Sequence, residues 1–245
     1  MRKHKLRKDP GRRAIKIGFW GTGPKNLYGN IYFGQIARWM GVPEENMYVQ
    51  NAGVRALRDF FAKIDLNRNR KLSAAEVRSL EVEVCGYSWG AIAAIGFCQR
   101  LSTPGAKIVG GSPKSPIQFE LGAPVRIKTL LVVDPVPILN SPGVVPSTVD
   151  TFINYYQQNG GDGIMRASAV HESVVGKMGT ALSRQLKGAH IESKAVKSKQ
   201  FDVGAKQMYV NDGVRFAKGS ETNHDTIPWF VAAILSKRDP DNDGV

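Results

Sequence analysis

Apolar residues along the chain fall into short runs typical of buried strands and longer stretches with the spacing of helices. Short runs bounded by glycine, proline or asparagine predict strands, and apolar residues three and four positions apart predict amphipathic helices. The alternation of strands and helices is typical of an α/β domain with a mostly parallel sheet. The predicted strands lie at 14–20, 47–50, 125–133 and 148–156, and the predicted helices at 30–40, 54–64 and 229–235.

Residues 81–97 combine both patterns in one continuous segment. A short alternating strand breaks at a G-Y-S-W-G turn centred on Ser88 and passes directly into a run rich in alanine and isoleucine. A serine on such a sharp turn has a strained backbone, so Gly86 and Gly90 are needed for strand and helix to approach each other. N–H groups at the start of the helix can stabilise an oxyanion. The pattern predicts that Ser88 is a nucleophile; the alternative is an ordinary strand-to-helix turn.

The composition is that of a globular protein. With 245 residues and 42% hydrophobic content the chain can bury a full core, and we expect one domain over 14–236. No apolar run reaches the roughly 18 residues that a transmembrane helix needs. Lys16 and Gly18 interrupt the apolar stretch after the basic start, so a signal peptide is not predicted and a cytoplasmic protein is the default expectation. Cys85 and Cys98 form no metal or redox pattern, and we expect both to be buried.

The net charge of +13 is unevenly distributed. Residues 1–13 hold seven lysines and arginines against one aspartate, which predicts a disordered basic arm; the alternative is an arm that contacts an anionic surface. Residues 237–245 are predicted to be an acidic tail, although they also match the first half of a calcium loop. Residues 102–124 are rich in glycine, proline and serine and predict a surface excursion. Residues 161–200 are polar and weakly patterned.

The first predicted strand ends in a glycine loop, Gly21-Thr22-Gly23. The dinucleotide fingerprint G-x-G-x-x-G fails here because Asn26 stands where the third glycine belongs, so no organic cofactor is expected. A loop after an early strand can instead supply the second N–H of an oxyanion hole. The predicted oxyanion hole therefore consists of the N–H of Trp89 together with that of Gly21 or Thr22.

Residues 54–80 predict a helix, a polar loop and a second helix. The loop begins at Asp65 and resembles the EF-hand calcium loop, because oxygen-bearing groups recur at its ligand positions. Arg70 replaces the glycine of position six, and Arg68 and Lys71 add positive charge, so any calcium binding is expected to be weak and structural. The alternative is a hairpin in which Asp65 and Ser73 only cap helices. The predicted ligands are Asp65, Asn67, Asn69, Lys71 at the backbone-carbonyl position, Ser73 and Glu76.

Two further residues complete a catalytic constellation with Ser88. Asp134 ends a buried strand, and His224 lies in a loop before the last predicted helix. A serine hydroxyl becomes a nucleophile when an imidazole accepts its proton, and that imidazole needs a carboxylate to fix its tautomer. The alternatives for the acid are Asp150, Asp202 and Asp212, and the alternatives for the base are His171 and His190. Asp225 adjoins His224, but a directly adjacent side chain points elsewhere and rarely orients the ring.

Through the G-Y-S-W-G turn, Asp134 at a strand end and the late His224, the chain resembles the α/β-hydrolase superfamily, most of all small bacterial lipase-like or esterase-like members. The resemblance implies a three-layer α/β-hydrolase-like sandwich with a mostly parallel sheet, and a triad that acts on a small-molecule or lipid ester. The hairpin of residues 54–80 is not a standard part of that fold. The competing hypothesis is a non-catalytic calcium-binding protein on a hydrolase scaffold, with the basic arm meeting an anionic partner.

Overall fold

The computed structural model describes residues 13–23, 25–26, 28–112, 115–137, 143–160, 186–204, 207–208, 220–224 and 226–236. The predicted basic arm, apart from Arg13, and the acidic tail therefore lie outside the described residues. The strands are β1 Arg13–Phe19, β2 Met47–Tyr48, β3 Lys71–Leu72, β4 Leu80–Tyr87, β5 Lys107–Ser112, β6 Ser115–Leu121, β7 Ile127–Val133, β8 Val149–Tyr156, β9 Lys197–Asp202, β10 Gln207–Met208 and β11 Ser220–Glu221. The helices are α1 Tyr28–Trp39, α2 Gly53–Ile64, α3 Ala74–Arg78, α4 Trp89–Leu101 and α5 Ile227–Leu235, with a short 3-10 turn at Glu44–Asn46.

Six strands form a sheet in the order β2-β1-β4-β7-β8-β9, and every pair of neighbours is parallel. Parallel sheets need helices on both faces, because their connections cross over the sheet. The carboxyl ends of β1, β4 and β7 lie side by side, since Phe19 pairs with Gly86 and Tyr87 pairs with Val133. The loops that follow these strands therefore meet at one edge.

Helices cover both faces of this sheet. Successive side chains of a strand point to opposite faces, so alternate residues enter different cores. Val84 and Leu130 pack with α2 and α4 on one face, whereas Cys85 and Leu131 pack with α1 and α5 on the other. The predicted α/β class, with three layers and a mostly parallel sheet, is confirmed. Within the described residues, no helix has the length and apolarity needed to cross a membrane.

A second, three-stranded sheet in the order β3-β6-β5 includes most of residues 102–124, which the sequence predicts only as a surface excursion. This excursion is an antiparallel hairpin of β5 and β6, and the Phe119 ring of β6 is buried against Phe61 of α2 with ring centroids 5.4 Å apart. The N–H of Gly105 donates to the carbonyl of Leu121 just beyond the end of α4. Since α4 has 13 residues, the base of this hairpin lies about 20 Å along the helix from Ser88.

The weakly patterned segment also contains an element that the sequence pattern does not predict. Residues 197–202 form β9, the edge strand of the main sheet, and its side chains are largely exposed. Residues 186–196 form no helix and only an isolated bridge from Ser193 to Val145. The remainder of that segment, 161–185, lies outside the described residues.

Candidate active site

Ser88 stands at a strained turn between β4 and α4. Its φ of 57° and ψ of −125° lie outside the regions that residues with a side chain favour. A Cβ at Gly86 would overlap the backbone of Gly90, and a Cβ at Gly90 would overlap the carbonyl oxygens of Phe19 and Trp20. Only glycine fits at both positions, which is the steric condition that the sequence motif predicts.

Ser88 and His224 share a buried hydrogen bond. Ser88 Oγ lies 3.1 Å from His224 Nε2, although the residues are 136 positions apart in the sequence. On the other side of the ring, His224 Nδ1 lies 2.6 Å from Asp134 Oδ2. Since a carboxylate only accepts hydrogen bonds, Nδ1 carries the proton and Nε2 is left to accept the serine hydroxyl. The three predicted catalytic side chains are thus joined in one buried relay.

Asp134 is completely buried at the end of β7, with a positive φ of 49°. Its Oδ2 accepts hydrogen bonds from His224 Nδ1 and, at 2.8 Å, from Gln157 Nε2. Its Oδ1 accepts from the backbone N–H of Gln157 at 3.2 Å. Gly188 lies directly over the carboxylate, because a Cβ there would overlap Asp134 Oδ1. These contacts leave the Asp134 carboxylate little room to change its orientation.

The loop that carries His224 is held from several sides. The N–H of His224 donates to the carbonyl of Gly160 at 2.8 Å, and its carbonyl accepts the Tyr87 hydroxyl at 2.8 Å. The Tyr87 ring stacks on the imidazole with centroids 5.2 Å apart. Asn223 and Thr226 exchange backbone-to-side-chain hydrogen bonds around the histidine. The imidazole is therefore oriented before any ligand binds.

The predicted oxyanion loop lies beside the start of α4. Trp89 is the first residue of α4, and the first N–H groups of a helix have no partner within it. Gly21 packs on the Tyr87 ring, where a Cβ would come within 2.6 Å of it, and the Asn30 amide makes long hydrogen bonds to the carbonyls of Gly21 and Gly23. The hydroxyl of Thr22 is buried without a hydrogen-bond partner among the described residues. Their role in binding an oxyanion stays a prediction.

The alternative acids and bases lie elsewhere or outside the described residues. Asp150 forms an ion pair with Arg126 at 2.6 Å, Asp202 is exposed, and His190 is exposed with its ring against Tyr156. Asp212, Asp225 and His171 lie outside the described residues. Both cysteines are buried and free, and burial raises the pKa of the Cys85 thiol to about 12. A protonated, buried thiol does not compete with Ser88 as a nucleophile.

The side-chain oxygens of the calcium-loop-like segment accept hydrogen bonds from within the segment. Both carboxylate oxygens of Asp65 accept backbone N–H groups, from Asn69 at 3.1 Å and Arg70 at 2.8 Å. Glu76 Oε2 accepts the N–H and the hydroxyl of Ser73, which gives α3 a capping box. Asn67 Oδ1 accepts the N–H of Asn69, and Asn69 Oδ1 accepts that of Lys71.

One backbone angle of this segment matches a feature of calcium loops. Arg70 has a φ of 63°, the conformation for which that loop uses glycine. Only two carboxylates are available, and the Lys71 ammonium pairs with Glu120 at 3.0 Å. Among the described residues, no group of three or more His, Cys, Asp or Glu side chains is arranged to hold a metal ion. Calcium binding by these residues stays a prediction.

Gln157 and Gly188, which contact the acid, are not predicted from the sequence. Gln157 lies one residue beyond β8, next to a polar Gln158-Asn159 pair that resembles any surface turn. Gly188 lies in the weakly patterned segment. One signal was present: Gln157 follows a buried parallel strand that neighbours the strand of Asp134, and such strand ends converge.

No protein-family model and no curated protein matches the chain. Five chains of solved structures match it, among them an alpha-beta serine hydrolase homologue from Coxiella burnetii. That chain is 8% identical, with a TM-score of 0.37 over 93% of this chain and 86% of that chain. At this identity and score we draw no conclusion from the likeness, and the chemistry proposed below rests on the described side chains alone.

Proposed function

We propose that the chain is a serine hydrolase that cleaves an ester or a related acyl bond, as lipases and esterases do. The observation that carries this proposal is the buried relay of Ser88 Oγ, the His224 imidazole and the Asp134 carboxylate, with distances of 3.1 and 2.6 Å. Three groups of the required types come from distant parts of the chain and each is aligned with the next. This geometry fits a nucleophile, a general base and the acid that orients it.

In the proposed first step, Ser88 Oγ attacks the carbonyl carbon of the ester while His224 Nε2 accepts its proton. Asp134 remains ionised and stabilises the imidazolium through the Nδ1–H bond. The negative charge on the carbonyl oxygen would be held by the N–H of Trp89 and that of Gly21 or Thr22. His224 then donates its proton to the departing alcohol, which leaves an acyl group on Ser88.

The second step reverses the roles of proton donor and acceptor. His224 Nε2 removes a proton from water, the resulting hydroxide attacks the acyl carbon, and the proton returns to Ser88 Oγ as the acid leaves. The proposed substrates are small-molecule or lipid esters. Turnover of p-nitrophenyl esters of increasing acyl length would identify the preferred acyl group.

Labelling with a fluorophosphonate probe tests the nucleophile. We expect the probe to label the wild-type protein and not Ser88→Ala, and we expect ester hydrolysis to fall by a factor of about 10^4 or more. Ser102→Ala is the matched control, because Ser102 caps the opposite end of α4 by donating to the carbonyl of Gln99. Labelling that persists in Ser88→Ala would falsify the assignment.

A second function is favoured by the backbone of the loop at 65–76. We propose a weak, structural calcium site there, since Arg70 adopts the conformation of the glycine that calcium loops require. The competing proposal for the whole chain is then a non-catalytic calcium-binding protein whose basic arm meets an anionic partner. Calorimetry with calcium on the wild type and on Asp65→Ala separates the cases. Heat in the wild type alone supports the site, and heat in neither removes it.

A further inference from the structure

Gln157 links the catalytic acid Asp134 to the loop that holds His224. Its side chain is completely buried just after β8. The side-chain Nε2 donates to Asp134 Oδ2 at 2.8 Å and to the carbonyl of Leu186 at 2.9 Å. The side-chain Oε1 accepts the N–H of Gly160 at 2.9 Å. Three of the four hydrogen bonds that a glutamine amide can make are thus satisfied within the protein.

The bonds to Asp134 fix the direction of its carboxylate. A carboxylate bound only to His224 could rotate about its side-chain torsions and take the imidazole with it. Gln157 prevents this by donating twice, from Nε2 to Oδ2 and from its backbone N–H to Oδ1. Both donors are buried, where hydrogen bonds to a charged group are strong because no water competes. The charge of Asp134 is therefore stabilised in the orientation that His224 requires.

The bond to Gly160 extends the same control to the histidine loop. Gly160 donates its N–H to Gln157 Oε1, and its carbonyl accepts the N–H of His224 at 2.8 Å. One amide side chain thus contacts the acid directly and the backbone of the base through a single residue. The backbone carbonyl of Gln157 also accepts the N–H of Gly188, the residue that covers the Asp134 carboxylate.

We propose that Gln157 is a positioning residue that aligns Asp134 and His224 for proton transfer from Ser88. This inference rests on the proposed hydrolase activity. The Gln157 side chain bonds to Asp134, Leu186 and Gly160 and not to Ser88, so it acts on turnover through the orientation of the acid and base. Its loss should therefore lower kcat and leave KM nearly unchanged, since groups that act only in the transition state affect kcat.

The contacts of Gln157 explain why this position requires a glutamine. Glutamate has the size of glutamine but cannot donate to Asp134 when ionised, and it adds a second negative charge beside it. Methionine has a similar volume and neither donates nor accepts strongly. Asparagine is one methylene shorter and cannot span from Asp134 to Gly160.

The test compares Gln157→Met and Gln157→Glu with Gln200→Met. Gln200 is the matched control, because its amide also makes three hydrogen bonds, with Asn154 and with the backbone N–H and carbonyl of Ile191, and none of them is to Asp134 or Gly188. With p-nitrophenyl butyrate we expect kcat to fall by about 10- to 100-fold in Gln157→Met, by analogy with residues that orient metal ligands. KM should stay within about twofold, and Gln200→Met should retain wild-type kcat.

A spectroscopic readout separates positioning from general packing. The proton between His224 Nδ1 and Asp134 Oδ2, which are 2.6 Å apart, should give a far-downfield NMR signal in the wild type. We expect this signal to move upfield or broaden in both Gln157 variants and to persist in Gln200→Met. Wild-type kcat and an unchanged signal in either folded Gln157 variant would overturn the inference, as would an equal loss of kcat in Gln200→Met. Failure of the proposed function itself looks different, because the wild-type protein would then not react with a fluorophosphonate.

Discussion

The relay at residues 88, 134 and 224 and the loop at residues 65–76 both begin as short sequence motifs, yet their polar groups are arranged in opposite ways. In the relay, each side chain binds a partner from a different part of the chain, and all three residues are buried. In the loop, the carboxylates of Asp65 and Glu76 accept N–H groups from residues no more than five positions away. The residues 66–71 around them are exposed.

This difference separates two kinds of hydrogen bonding. Local bonds to backbone N–H groups are the usual means of closing a turn or capping a helix, so they occur with or without a ligand. A chain of buried bonds between distant residues forms only when the whole fold brings those residues together, and each member must be satisfied where no water reaches. Buried hydrogen bonds between residues that are distant in the sequence therefore support a function more strongly than a match to a local motif does.

The largest expected effect comes from the same substitution in the two regions. Asp134→Asn leaves the size of the side chain unchanged but removes the charge that fixes the His224 tautomer, and we expect kcat to fall by about 10^4-fold. Asp65→Asn should leave kcat within about twofold and destabilise the fold by about 1–3 kcal/mol, since Asp65 accepts two N–H groups. Ester hydrolysis and urea denaturation measure the two effects.

Either result could break the comparison. A strong loss of kcat in a folded Asp65→Asn protein would mean that the loop takes part in catalysis. Near-normal turnover in Asp134→Asn would remove the acid from the relay and leave the contact of Ser88 with His224 as a packing feature.

The second prediction concerns the fit around the acid. Gly188→Ala places a methyl group where Asp134 Oδ1 lies, so either the carboxylate turns away or the backbone shifts. We expect kcat to fall by about 100-fold, because small displacements of catalytic groups have effects of this size. Gly96→Ala on α4 is the matched control, since a Cβ there meets nothing within 4 Å. It should raise the free energy of unfolding by about 1 kcal/mol, as alanine favours helices. Equal kcat in both variants would contradict the close fit.

The sequence predicts those parts of the site that depend on local chemistry. The turn at Ser88 needs Gly86 for a local reason, because a Cβ there would overlap the backbone of Gly90, four residues on. Gly90 is needed because α4 lies against the carbonyls of Phe19 and Trp20, and the motif contains both glycines. Asp134 is found because it ends a strongly apolar strand, and parallel strands bring their carboxyl ends to one edge. His224 is found from its order in the chain alone. The layered fold follows from the periodicity of the buried strands and helices.

The missed elements lack a local signal. The edge strand β9 reads K-S-K-Q-F-D and is largely exposed, so it has no buried face to create an alternation of apolar residues. The hairpin of β5 and β6 contains glycines and prolines that resemble an irregular loop. Gln157 and Gly188 acquire their roles only from contacts with Asp134, 23 and 54 positions away in the sequence.

The third prediction concerns the backbone of the loop at residues 65–76. Arg70 has a φ of 63°, which is unfavourable for a residue with a Cβ, so Arg70→Gly should raise the free energy of unfolding by about 1 kcal/mol. It also removes one positive charge that neighbours the predicted calcium ligands, so any heat of calcium binding should increase. Arg100→Gly in helix α4 is the control and should destabilise by about 1 kcal/mol. A destabilised Arg70→Gly protein would mean that the arginine side chain supports the loop.

The smallest expected effect is the contribution of Glu76 to the pH dependence of the free energy of unfolding. Hydrogen bonds from the Ser73 hydroxyl and N–H hold the pKa of Glu76 below its usual value of 4.5. A carboxyl whose folded pKa is lowered stabilises the fold above the unfolded-state pKa, and this contribution is lost as the pH falls through the folded pKa. Glu76→Gln should therefore lower the free energy of unfolding at pH 7 by only about 0.5 kcal/mol, because solvent screens this carboxyl, and the difference should shrink as the pH falls.

Urea denaturation of the wild type and Glu76→Gln from pH 7 to pH 3 measures this difference, and kcat of the folded proteins should be equal throughout. A calcium ion would bind the same carboxylate oxygens that now cap α3, so a second series with calcium replacing chelator tests the loop directly. If calcium increases the difference in free energy of unfolding between wild type and Glu76→Gln, Glu76 is a ligand as well as a cap. If that difference is the same in both series, the carboxylate only caps the start of α3, and the loop is a structural turn.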